Sequence, residues 1–369
     1  MQIPITLEAP MDSERPTPLV EDIDGTRRKL ETWFADKLQS DGAVSIAELK
    51  IPETTGMSNV TLLFDVKYTK DGTQFSEGCV GRLQPEIERP VFPEYDLSVQ
   101  YRAMDIVGSK TDIPAPGLLG LELDASVLGT GFYIMKKADG RVPPDMPPYS
   151  MDGWMMHDIG PAERESLWNA GVDTMASFHR QCRDYKALGF GFLERPELGA
   201  NPLQQQLAYW KNYGEWALEG RAHSICDPAM QWLLDNQPKS EEFGLSWGDS
   251  RIGNMLFAQD CKSVSAMLDW EMITLGNPVQ DIAWWNYLDY FFSDGLGIPR
   301  LDGLPSYEKT LALWEKTSGF SGEHYQYYWV YAGLRYGLIM SRIMVAQGQE
   351  DQIEENFATT VLKKVMAEL

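Results

Sequence analysis

The sequence predicts an α+β chain in two lobes, a smaller β-rich one followed by a larger, mainly helical one. Three observations carry this. Alternating apolar runs flank a tight turn signal in the first third of the chain. A stretch rich in Pro, Gly and Asp, residues 138–153, then breaks the texture. Beyond it, apolar residues recur almost throughout at helical spacing.

Residues 1–22 contain four prolines and lack both a basic and an apolar segment. A loose arm is expected there, and no signal peptide. Residues 23–38 place Leu30, Trp33, Phe34 and Leu38 on one helical face behind the capping candidates Asp22 and Asp24. "VTLLFDVKY" (60–68) reads as a strand, "KDG" (70–72) as a hairpin turn and "EGCVGRL" (77–83) as the returning strand. Residues 95–108 have helical periodicity and end in glycine. "PGLLGLEL" and "GTGFYIMKK" read as two further strands, closing a first lobe over residues 23–137. The second lobe, residues 138–369, opens with the Pro-rich linker or flap. Helices are then expected over 162–185, 202–219, 228–236, 279–292, 307–318, 322–347 and 350–368. Only the region around 245–270 has strand–loop–strand character. No internal repeat or low-complexity tract is present.

Composition excludes several function classes. A net charge of −22 disfavours nonspecific binding to nucleic acid. No apolar run reaches the roughly 18 residues a membrane span needs. Cys79, Cys182, Cys226 and Cys261 are scattered without any CxxC, which reads as reduced thiols in a cytoplasmic protein. Four histidines without an HExxH make a zinc site improbable.

The chemistry gathers in two segments, "LSWGDSRIGNMLF" (245–257) and "VSAMLDWEM" (264–272). Asp249 and Asn254 lie five apart, close enough for one loop to turn both toward a common cavity. Asp269 follows a short buried-strand pattern and so falls at a strand end. Mg²⁺ takes oxygen ligands, commonly one or two carboxylates with phosphate and water. Asn254 and Asp269 offer such a set, leaving Asp249 to orient or deprotonate a nucleophile. Asp and Asn also fill ordinary turns and caps. Three of them at this spacing, each beside an apolar strand, weaken that plainer explanation.

The pattern resembles the aminoglycoside phosphotransferase-like family, relatives of the protein kinases. "WGDSRIGN" (247–254) is similar to its HGDxxxxN catalytic loop, "LDWE" (268–271) to its metal-binding segment and "LGNPVQDIAWW" (275–285) to its GdPxxDla segment. "GMSNVT" (56–61) and "FYIM" (132–135) point to the branch related to kinase-like domains fused to acyl-CoA dehydrogenases.

The resemblance implies a protein-kinase-like bilobal fold and an ATP- and Mg²⁺-dependent kinase that phosphorylates a small-molecule hydroxyl. Asp249 would accept or orient the hydroxyl proton, while Asn254 and Asp269 would hold Mg²⁺. Asp281 would anchor the catalytic loop. Ser58 and Asn59, in the turn over the phosphates, Arg82 on the following strand and Met135 would bind nucleotide. Arg251, inside the catalytic loop, would reach a phosphate or an anionic substrate group; a salt bridge is the plainer alternative.

Three positions depart from the family pattern. Trp247 replaces the usual histidine, and Arg82 the usual lysine. Gln100 falls where a glutamate would pair with that lysine, so an Arg82–Gln100 clamp is expected to be weaker. Glu86 or Glu94 could substitute. His179 reads as a packed, hydrogen-bonded core residue, and the aromatic run 284–292 as a core helix. The subfamily features favour a hydroxyacyl-CoA or related acyl or hydrophobic alcohol as acceptor. An aminoglycoside acceptor, favoured by the acidic charge, and a nucleotide-binding pseudokinase are the alternatives. No partner beyond the small molecule is implied, and the sequence leaves the oligomeric state open.

Overall fold

The computed structural model describes residues 22–52, 59–85 and 88–369. The expectations for the arm before residue 22, for Ser58 and for Glu86 lie outside the described residues.

The chain begins with α1 (Ile23–Leu38), capped by Asp22, whose carboxylate accepts from the Gly25 N–H at 2.7 Å. Five antiparallel strands follow: β1 (Ser45–Ile46), β2 (Val60–Lys70), β3 (Thr73–Leu83), β4 (Leu118–Glu122) and β5 (Phe132–Lys136). Their spatial order is β1–β2–β3–β5–β4. The β2–β3 turn is the expected one. Lys70 pairs with Thr73, and Asp71 and Gly72 both have positive φ, 50° and 72°, as a two-residue hairpin turn requires. Alternate residues of β2, among them Leu62, Phe64 and Val66, face a small core closed by Trp33 and Phe34 of α1.

Between β3 and β4 runs α2 (Leu97–Lys110). Asp96 caps it, accepting from the N–H groups of Ser98 and Val99, a contribution of about 1 kcal/mol. Its buried residues Leu97, Ala103, Met104 and Val107 join the larger core rather than the sheet's own.

Residues 138–153 form no helix or strand of their own, as their composition predicts, yet they are stitched down. Arg141 exchanges two backbone hydrogen bonds with Phe257, at 2.8 and 2.9 Å. The Tyr149 hydroxyl donates to Asp289.

Helices then dominate: α3 (Trp154–His157), α4 (Pro161–Gln181), α5 (Tyr185–Leu188), α6 (Pro202–Ala217) and α7 (Cys226–Asp235). Four short strands interrupt them: β6 (Gly244–Ser246), β7 (Met255–Phe257), β8 (Val264–Met267) and β9 (Thr274–Gly276). β6 pairs with β9 and β7 with β8. The chain closes with α8 (Val279–Phe291), α9 (Tyr307–Ser318), α10 (Tyr325–Ala346) and α11 (Phe357–Ala367).

The helix expected over 350–368 starts only at Phe357. Asn356 caps it there by accepting from the Thr359 N–H, and a single 3₁₀ turn precedes it. α10 is buried around most of its circumference and packs against α6, α7, α8 and α11, making it the spine of the larger lobe. No described helix is long and apolar enough to cross a membrane.

Candidate active site

The segment from Trp247 to Asn254 leaves the buried strand β6 and turns sharply at Gly248, which has φ +93°. A side chain at Gly248 would put its Cβ 2.0 Å from the Met272 carbonyl, so only glycine fits. Asp281, in the first turn of α8, fixes this turn from beneath. Its carboxylate accepts from Ser246 Oγ at 2.7 Å and from the N–H groups of Trp247 and Gly248 at 2.6 and 3.0 Å.

His179 Nε2 donates to Asp281 at 2.9 Å. The Trp314 indole donates to Nδ1 of the same ring, which makes Nε2 the protonated nitrogen. Burial would push the Asp281 carboxyl up, but His179 and the other donors more than offset it and hold it below the usual carboxylate range. The anchoring role expected of Asp281 and the packed role expected of His179 are both present.

Trp247 has a function of its own here. It is fully buried, and its indole donates to the Leu268 carbonyl at 2.9 Å, binding the 247–254 loop to the segment that carries Asp269.

Above this base Asp249 is held on both oxygens. Oδ1 accepts from the Trp284 indole at 2.9 Å; Oδ2 accepts from Asn254 Nδ2 at 2.7 Å and Arg251 Nε at 3.1 Å. Arg251 also pairs with Asp145 of the Pro-rich segment. The guanidinium is therefore engaged by two carboxylates, so the salt bridge weighed as the plainer alternative is formed.

Asn254 is buried, and its amide nitrogen is spent on Asp249, which leaves the amide oxygen as the atom free to accept or ligate. Asp269 adopts a left-handed backbone, φ +56°, two residues after the strand β8 ends. Its Oδ1 is buried without a hydrogen-bond partner, and the Arg82 guanidinium stands 3.7 Å away. Burial raises the Asp269 carboxyl, Arg82 and Arg251 oppose that, and the charges of Asp249 and Asp145 reinforce it. An orphaned carboxylate oxygen in a field of other carboxylates is what a bound cation would relieve. Among the described residues no three His, Cys, Asp or Glu side chains gather as a metal centre. One amide and one carboxylate nevertheless fit Mg²⁺, whose remaining ligands come from phosphate and water.

The nucleotide-side residues divide. Arg82 is largely buried, receives support from Thr61 Oγ1 at 2.9 Å and leans on Asp269, linking β3 to the metal segment. The expected Arg82–Gln100 contact is replaced. Gln100 accepts from the Tyr133 hydroxyl at 3.2 Å, because Tyr133 lies directly opposite Arg82 in the β3–β5 register. Glu94 borders a cavity that Gln100 and Glu271 also line, and the charge of Glu271 acts on Arg82.

Asn59 is fully buried with neither amide atom hydrogen-bonded. Met135 is half-buried near the end of β5, opposite Val80. The structure thus joins Asp249, Arg251 and Asn254 directly and Arg82 to Asp269, whereas among the described residues neither Asn59 nor Met135 has a side-chain hydrogen bond to either group.

Sequence reading missed Asp145, Trp284, Tyr336 and Arg335. Tyr336 packs edge-on to Trp284, and its hydroxyl feels the charges of Arg251, Asp145 and Asp249. Arg335 Nη2 donates to the Gly248 carbonyl at 2.8 Å. Trp284 belonged to a run read first as a core helix and only secondarily as the lining of an acyl or aromatic pocket, and α10 carries no motif.

With the geometry in hand, the chain can be set beside known proteins. A model of the phosphotransferase enzyme family matches residues 96–320. Acyl-CoA dehydrogenase family member 11 of Homo sapiens is 28% identical over 314 residues, covering 80% of this chain and 36% of that protein. The Pongo abelii protein of the same name is 29% identical over 313 residues, with the same coverage. The chain therefore spans about a third of the length of these relatives.

Among solved structures, a Ralstonia eutropha protein provisionally classed as an aminoglycoside phosphotransferase superposes with a TM-score of 0.66 at 24% identity. It covers 92% of this chain and 98% of its own. Macrolide 2′-phosphotransferase type I superposes with a TM-score of 0.54 at 14% identity, covering 93% and 96%. These likenesses establish the fold, a bilobal kinase-like α+β architecture.

Proposed function

The chain belongs to the phosphotransferase enzyme family, and from that premise we propose that it transfers the γ-phosphate of ATP to the hydroxyl of a small molecule. One observation carries this reading. Asp249 is fixed on both carboxylate oxygens, in a loop anchored by Asp281, while Asn254 and the orphaned oxygen of Asp269 border the same place.

In this reading Asp249 accepts the proton of the attacking hydroxyl, and its three donors hold it in line. Trp284 and Arg251 act through Asp249 as positioning residues. Asn254 Oδ1 and Asp269 are the atoms of this chain that would hold Mg²⁺; the bound ion supplies charge neutralisation across the phosphates. Arg82 exchanges Asp269 for phosphate oxygen when nucleotide enters. Ser58 and Asn59 are assigned to the phosphates and Met135 to the nucleotide, with the two unpartnered amide atoms of Asn59 in support.

The acceptor we favour is a hydroxyacyl-CoA or a related acyl or hydrophobic alcohol. The relatives named for acyl-CoA dehydrogenases support it, as does the arginine content around the loop. An aminoglycoside acceptor is favoured only by the net charge of −22. A pseudokinase would have little use for so firmly oriented a carboxylate.

The test is γ-phosphate transfer from ATP and Mg²⁺, screened over hydroxyacyl-CoAs, aminoglycosides and lipophilic alcohols. ATP with Mg²⁺ should first raise the melting temperature, since ligand at about 100 times its dissociation constant adds roughly 2.7 kcal/mol. No shift at millimolar nucleotide ends the kinase reading. Transfer to aminoglycosides but to no acyl substrate reverses the preference for acceptor.

A further inference from the structure

A cavity of about 100 Å³ lies between the start of α2, α6, the segment 271–275 and Arg335 of α10. Tyr95, Tyr209, Trp210 and Leu275 give it apolar walls, and Arg195 and Arg335 contribute guanidinium groups. Arg335 is the unusual member. Only 3% of it is exposed, and it forms no ion pair among the described residues. Its guanidinium is fixed instead among aromatic rings, 4.3 Å from the Trp284 centroid, 5.1 Å from Trp210 and 5.4 Å from Tyr331. Nη2 is spent on the Gly248 carbonyl, but Nε is buried with no acceptor.

A buried cation with no ion pair in contact and with an unmade hydrogen bond is costly to a fold. The cost is recovered when a ligand brings the anion. Arg195, exposed at the rim and stacked over Tyr209 at 5.2 Å, adds a second positive charge.

Three carboxylates also border the cavity, which restricts where an anion can sit. Asp96 is committed to the N-cap of α2, Glu94 is exposed, and the charges of Glu94 and Glu271 act on Tyr209, that of Glu271 also on Arg82. The Arg335 end, walled by Trp210, is where an anion with a short apolar tail finds both charge and contact.

We propose that this cavity is a binding site for a small aliphatic carboxylate, which Arg335 receives through Nε with Arg195 assisting at the rim. Resting on the kinase reading, it seats the acid end of the acceptor. Arg335 touches Gly248 and Trp284, and both adjoin Asp249. The acceptor then becomes, within the acyl compounds, a hydroxy acid with a free carboxylate rather than its CoA thioester.

The experiment is titration calorimetry of the full chain with valerate, 1-pentanol and inorganic phosphate, repeated on Arg335→Gln and Arg195→Ala. Valerate should bind at least about tenfold tighter than either comparison compound, as one charge-assisted hydrogen bond provides. It should weaken by a similar factor in Arg335→Gln and by less in Arg195→Ala, which lies at the surface and should fold normally. Valerate binding no tighter than 1-pentanol, or phosphate binding tighter than valerate, overturns the site on the unaltered protein, whether or not Arg335→Gln folds. Unchanged affinity in a folded Arg335→Gln overturns the role of Arg335. Phosphoryl transfer separates the two readings. Transfer without carboxylate binding overturns the site and leaves the kinase, whereas carboxylate binding without any transfer supports the site and overturns the kinase.

Discussion

Asp249 is oriented before any substrate arrives, by an indole on one oxygen and by Asn254 and Arg251 on the other. Removing the carboxylate and removing its supports should therefore have different signatures. Asp249→Asn keeps the shape but takes away the proton acceptor, so transfer should fall to background while the melting shift with ATP and Mg²⁺ persists. A variant that still turns over removes Asp249 as the base. Trp284→Phe keeps the ring packed against Tyr336 and deletes only the N–H donor. Steady-state kinetics should show kcat lowered about tenfold with KM for ATP unchanged, the pattern of an interaction that serves the transition state. An equal rise in KM for ATP would instead mean that Trp284 shapes the nucleotide site.

At the scale of elements, the first turn of α8 supports the catalytic loop through one buried carboxylate. The Asp281 carboxyl is depressed in the fold, so the folded state releases its proton more readily than the unfolded chain does. Its contribution to stability is then fully present above the ordinary carboxylate value of about 4 and is lost as pH falls through the depressed value. Asp281→Asn should cost about 3 kcal/mol at neutral pH, because an amide N–H₂ would face donors that now meet an acceptor oxygen. The gap between wild-type and Asp281→Asn stability should narrow below pH 4; a gap constant down to pH 3 contradicts this. That Asp281 could be assigned from sequence, while Trp284 and Arg335 could not, has a physical reason. The Asp22 cap and the Asp71–Gly72 turn act through neighbours in sequence, so local patterns expose them. The catalytic loop is likewise read from spacing within one loop. Trp284 reaches Asp249 across 35 positions and Arg335 reaches Gly248 across 87, so only packing places them. The Arg82–Gln100 expectation failed for the same reason, since it took no account of Tyr133 between them.

For the whole molecule, a net charge of −22 sets a long-range field that opposes anions and attracts cations. Arginines 82, 195, 251 and 335 lie close to the site and act at short range, where salt screens them little. Ionic strength therefore separates the acceptor classes without any mutation. A polycationic aminoglycoside would be drawn in by the global field, and its KM should rise several-fold between about 20 and 200 mM salt as the Debye length contracts. An acyl acceptor with one negative charge is repelled at long range and captured locally, so its KM should stay level or fall over the same interval. ATP, carrying several negative charges, should follow the second pattern and serves as the internal control. Measuring KM for the best acceptor at both salt concentrations, with ATP saturating, decides between them. A steep loss of affinity with salt would place the positive charge on the acceptor and make the acidic surface, rather than the arginines, its recognition element.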